Sequence, residues 1–160
     1  MLALAGVLGG CSKSPSGPPD YHGLRPVVLI SIDSLRADHC TPYGHRSEMA
    51  PAEESTPFLA RMAREGVLFE NASAASPWTL PSHVTLLSGM HPREHGVRTR
   101  KQRISDDLEL VSGQFKQGGY ATAGFFSGPF LHNIWGFGNG FDVYTPGVAY
   151  LAERSAGEQL

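Results

Sequence analysis

Pro26-Val-Val-Leu-Ile-Ser-Ile-Asp33 is the stretch that decides the fold. It is an almost unbroken apolar run, rich in β-branched residues, and it ends on a carboxylate. A run of this kind predicts a strand buried on both faces, as in a parallel sheet covered by helices. Open α/β sheets bind ligands beyond the carboxyl ends of their strands, and Asp33 stands at that end. A carboxylate held there needs a partner, and a metal ion is the strongest available. Outward from this run the pattern alternates. Thr56 and Pro57 open a predicted helix, with Leu59, Met62 and Ala63 as its apolar stripe and Gly66 as its stop. Val67 to Ala72 predicts a second strand. Ser105 or Asp106 caps another predicted helix, with Leu108, Val111 and Phe115 on one face and Gly118-Gly119 at its end. Tyr120 to Ser127 predicts another buried strand. Strands alternating with helices predict a mostly parallel sheet in an α/β/α sandwich.

Between these elements lies Trp78-Thr-Leu-Pro-Ser-His-Val-Thr-Leu-Leu-Ser-Gly89. It predicts a loop through Thr79, a helix opened by Pro81 and a left-handed stop at Gly89. Thr79 is thereby placed at a helix N-terminus, where backbone N–H groups and the macrodipole favour an anion. A hydroxyl beside an anion cradle suits attack on a phosphate or sulfate ester. Arg98, Arg100, Lys101 and Arg103 follow in a polar segment whose plainest role is a solvated loop.

Composition sets the outer limits. The 160 residues suffice for one core; 41% are hydrophobic and 18% charged, with a net charge of -2 that carries no nucleic-acid signature. The 19 glycines and 12 prolines predict short elements joined by many turns. Two cysteines, Cys11 and Cys40, make no disulfide framework and no Cys-x-x-Cys zinc pair. Leu8-Gly-Gly-Cys11 after an apolar start resembles the lipobox of bacterial lipoproteins. That likeness implies lipidation at Cys11 and a place on the membrane in the cell envelope, on the periplasmic or extracellular side. Residues 12–25 are rich in Ser, Pro and Gly and read as a tether, so the expected division is 1–11, 12–25 and a catalytic part over 26–160.

Three blocks taken together resemble the N-terminal part of a sulfatase in the alkaline phosphatase superfamily. They are Ile30-Ser-Ile-Asp-Ser-Leu-Arg-Ala-Asp38; Trp78 to Gly89 with His95-Gly96; and Gly119-Tyr-Ala-Thr-Ala123 through Gly140-Phe-Asp-Val-Tyr144. The resemblance implies an alkaline-phosphatase-like three-layer α/β/α sandwich, of which this chain carries the N-terminal portion. It implies that Asp33 ligates a divalent metal ion and that Thr79 is the metal-bound nucleophile. Thr79-Leu-Pro-Ser-His83 falls on the sulfatase signature, so Thr79 and His83 are the candidate catalytic residues, His83 standing for the signature arginine. Sulfatases oxidise a cysteine or serine at the Thr79 position to formylglycine; threonine gives no such group, and none is expected here. A nucleophilic threonine is similar instead to the nucleotide pyrophosphatase/phosphodiesterases and the phosphoethanolamine transferases. Aligned with the former, Arg100 takes an anion-stabilising, substrate-binding place. Ser34 stands where a second aspartate is often found.

The expected function is metal-dependent hydrolysis of a sulfate or phosphate ester, on a small molecule, glycan or lipid. A non-catalytic lipoprotein on the same scaffold and a transferase are the alternatives. Family members run to several hundred residues, with further metal ligands in the later half. The chain is therefore expected to be a piece of a longer enzyme, inactive by itself. Trp78, Phe125, Phe126, Trp135, Phe137 and Phe141 are expected in the core, and His91 and His95 are not expected to form a zinc site.

Overall fold

The computed structural model describes residues 23–49 and 54–147. Cys11, most of the tether and the tail from Ala149 lie outside them. The fold is mixed α/β. Single 3-10 turns at Ala37–His39 and Thr41–Tyr43 precede helix α1, Pro57–Glu65. Helix α2 is Thr79–Ser88 and the one-turn α3 is Pro92–His95; α4 is Val111–Gln117. Strands β1 (Ala123–Phe126) and β2 (Val143–Pro146) close the order. They pair in parallel, Ala123 opposite Val143 and Phe126 opposite Pro146. The crossover between them carries two further 3-10 turns, Pro129–Leu131 and Asn133–Trp135.

Helix α1 forms where the cap signals place it, with Thr56 at the N-cap, Pro57 at the first position and Gly66 at the end. The Thr56 hydroxyl does not cap the helix; it accepts from the Thr41 N–H at 2.9 Å and so ties the preceding turn to it. Helix α2 corrects the expected boundary. It begins at Thr79, two residues ahead of Pro81, with Trp78 as N-cap. Proline at the third position loses nothing, because that N–H has no intrahelical acceptor either. Gly89 closes the helix at φ 70, the left-handed conformation that spares a Cβ clash. Helix α4 begins at Val111, later than the cap expected at Ser105 or Asp106, and the stripe residue Leu108 lies in the preceding turn.

The core is built on α2. Leu80 and Val84, one turn apart, are fully buried against Val97, Ile104, Leu110 and Phe137. Burying side chains of this size contributes about 1.5–3 kcal/mol each. Trp78, Leu87, Phe130, Trp135 and Tyr144 pack around that nucleus. Gly140 is required by space as well as by its φ of 80, for a Cβ there would meet the backbone of Gly113. Phe126 and Phe137 are buried as expected, whereas Phe125 faces out.

Two expected strands are not ladders. Neither Pro26–Asp33 nor Val67–Ala72 pairs with a strand among the described residues, and Val27, Val28, Leu29, Ile30 and Ile32 are exposed. Apolar patterning states a demand for cover; a strand forms only where neighbouring backbone supplies the hydrogen bonds. Among the described residues, backbone pairing is supplied only to β1 and β2, so the sheet has two strands rather than the expected larger number.

One charge cluster locks the β1–β2 unit. Asp142 accepts from the Thr122 N–H at 2.9 Å and hydroxyl at 3.0 Å, and its other oxygen pairs with Lys116 at 2.7 Å. Lys116, then the two Thr122 donors, hold the carboxyl at about 2, below the ordinary aspartate value. A depressed carboxyl stabilises the fold fully above its unfolded pKa of about 4 and loses that contribution as pH falls through about 2. Urea unfolding followed between pH 4 and 2 should therefore show midpoints falling with acid, and Asp142→Asn should flatten that slope. An unchanged slope in the variant would remove Asp142 from the account.

Candidate active site

The first apolar run meets α2 through two side chains. Asp33 Oδ2 accepts from the Thr79 hydroxyl at 2.8 Å. Two residues earlier, Ser31 Oγ lies 2.8 Å from Nε2 of His83. Thr79 and His83 are four residues apart, hence on one face of the helix. His83 Nδ1 is 2.8 Å from the Thr79 carbonyl oxygen. A carbonyl can only accept, so Nδ1 carries a proton; in the neutral ring Nε2 then accepts from the Ser31 hydroxyl.

Asp33 has both oxygens engaged, since Oδ1 accepts from the Ser34 N–H at 3.1 Å. Ser34 takes φ 60, the one non-glycine residue with positive φ among those described, and turns the chain immediately after the carboxylate. Asp33 is exposed and Thr79 half-buried, so the oxygen pair opens to solvent. With α2 beginning at Thr79, the N–H groups of Thr79 and Leu80 have no intrahelical acceptor, and Pro81 has none to offer; the Ser82 N–H already donates to Trp78 O at 3.4 Å. Leu80 is fully buried, so the anion cradle expected from Pro81 onward reduces to the Thr79 N–H.

Arg100 is exposed, and its guanidinium lies 5.1 Å from the centroid of Phe130. Phe130 meets Trp78 edge-to-face at 5.5 Å. Arg100 therefore reaches Trp78, the neighbour of Thr79, through one ring. His91 caps α3 by accepting from the Arg93 N–H, while Glu94 accepts from the His91 N–H at 2.8 Å. His95 accepts from the Val97 N–H at 3.1 Å and turns Nε2 to Thr85 Oγ1 at 3.2 Å. Burial pushes the His95 imidazole below its ordinary value, against a hydrogen bond to the Pro81 carbonyl. Both histidines fasten the turn after α2.

The donor set of Asp33 and Thr79 is all oxygen, the kind a hard divalent cation takes, and it fits two positions of such a site. Among the described residues no group of three or more His, Cys, Asp or Glu converges that could complete one. Ser31 is the site residue that patterning alone overlooked. The available signal was a lone polar residue inside an apolar run, two positions before the carboxylate.

The chain belongs to the sulfatase family, which it matches over residues 25–155. An arylsulfatase of Clostridium perfringens is 33% identical over 97 residues, 60% of this chain and 19% of that protein. An N-acetylgalactosamine-6-O-sulfatase of Bacteroides thetaiotaomicron is 30% identical over 122 residues, 72% of this chain and 23% of the relative. The human N-acetylgalactosamine-6-sulfatase is 30% identical over 126 residues, 71% and 22% respectively. The chain spans roughly a fifth of the length of these curated relatives. No solved structure matches it. The small parallel sheet and α2 are consistent with the N-terminal part of the sulfatase fold, and members of the family typically use a divalent metal ion.

Proposed function

We propose that the protein is a metal-assisted hydrolase of sulfate or phosphate esters in which Thr79 attacks. The observation that carries this is the 2.8 Å hydrogen bond from the Thr79 hydroxyl to Asp33 at the head of α2. Asp33 and the Thr79 oxygen would hold a divalent cation, which when bound supplies charge that favours the alkoxide and neutralises ester oxygens. Asp33 orients the hydroxyl and accepts its hydrogen, leaving the oxygen directed at the substrate. The Thr79 N–H would face the anionic oxygens, and Arg100 would offer charge to the anionic group from beyond Phe130. The Thr79 oxygen bonds to sulfur or phosphorus as the ester oxygen leaves and takes up a proton. Water then cleaves the threonine ester and regenerates the hydroxyl.

Relatives named for N-acetylgalactosamine-6-sulfate support a carbohydrate ester as substrate, and the enclosing domain is read as the three-layer sandwich of the superfamily. Threonine at the attacking position supports phosphate esters beside sulfate. Lipid attachment at Cys11 in the cell envelope belongs to the same reading and rests on Leu8-Gly-Gly-Cys11. The test is an assay of the native gene product on matched aryl sulfate, phosphomonoester and phosphodiester, with and without chelator. Chelator-sensitive turnover of at least one ester is expected. No turnover of any, with divalent ions supplied, would refute the assignment.

A further inference from the structure

We propose that Ser31 and His83 form a positioning pair that sets Asp33 against Thr79. This rests on the reading of Thr79 as the attacking hydroxyl. The apolar run is held to α2 at two points, Ser31 to His83 and Asp33 to Thr79, each at 2.8 Å. Residues two apart on the run thus meet residues four apart on one helix face. One contact alone would leave the run free to pivot. Two fix its register and the angle of the carboxylate. Among the described residues no backbone ladder holds the run, and Asp33 is exposed, so these two side-chain contacts carry the attachment.

The ring of His83 is committed on both sides. Nδ1 faces the carbonyl of Thr79 and Nε2 faces Ser31 Oγ, so neither nitrogen is directed to a substrate. The imidazole spans from the hydroxyl of one segment to the backbone of the residue that attacks. His83 is therefore a positioning residue rather than an acid or base, although it occupies the signature-arginine position. Groups that orient reacting side chains in this way are typically worth about ten- to a hundredfold in activity when removed.

Long-range proton–nitrogen NMR of the 15N-labelled native gene product reads the ring directly, with His83→Gln giving the assignment. The expected spectrum has Nδ1 protonated and Nε2 bare in the neutral ring. Ser31→Ala should move the Nε2 resonance, and Ser31→Thr, which keeps the hydroxyl, should return it. In the native gene product Ser31→Ala should lower kcat about ten- to a hundredfold with little change in KM, and Ser31→Thr should restore it. A proton on Nε2 in place of Nδ1 would overturn the pair. So would a Ser31→Ala variant that keeps full kcat, or one that leaves the ring signals where they were. The ring measurement requires no turnover, so failure of the pair and failure of the hydrolase reading are seen separately.

Discussion

Thr79→Ala is expected to lower turnover of the native gene product by roughly three orders of magnitude or more, with little loss of stability. The hydroxyl is half-buried and makes one side-chain hydrogen bond, to Asp33, while alanine is at home in the first turn of a helix. The core around Leu80 and Val84 is untouched and folding is kept; the reaction loses its attacking atom and the apolar run one of its two ties to α2. Thr79→Ser should retain most of the rate, since it preserves the oxygen on the same backbone. Stopped-flow or steady-state kinetics on whichever ester the native protein hydrolyses would decide it. Full activity in the alanine variant would mean that some other group attacks, and the mechanism would be withdrawn.

Asp33→Asn separates charge from geometry. The amide oxygen can still accept from Thr79, so the contact to α2 survives, while its NH2 takes the place of the oxygen that accepts from the Ser34 N–H and the negative charge is gone. Divalent-ion affinity and kcat should both fall, by about a hundredfold or more, because a neutral amide neither holds a hard cation as strongly nor draws the hydroxyl proton. Calorimetric titration of the metal beside a rate measurement gives the two numbers. Unaltered metal affinity in the variant would dissociate Asp33 from the cation.

How much of this could be read in the sequence follows from what each signal encodes. Helix α1 and the stop at Gly89 were legible because Thr-Pro and glycine act through local sterics, which no partner can overrule. The α2 start shifted to Thr79 because Pro81 is acceptable anywhere in the first turn, so it marks a neighbourhood and not a residue. The runs Pro26–Asp33 and Val67–Ala72 carry strand composition without strand pairing, since a ladder depends on residues remote in sequence. Strand β2 was hidden by the glycines and aromatics around it. At the site, Asp33 and Thr79 were both singled out, and the structure brings them into contact. Ser31 was not, because a serine inside an apolar run has no chemical signature until the helix opposite it is known.

The bare flank of Val27 to Ile32 has a practical side. Among the described residues no strand pairs with this run, and an exposed apolar run of that kind is a template on which further backbone, of the same protein or of a second polypeptide, can add. Until that flank is covered, self-association competes with the docking of Ser31 and Asp33. Aggregation would then silence the chemistry by pulling the carboxylate away, with every reacting group still chemically intact.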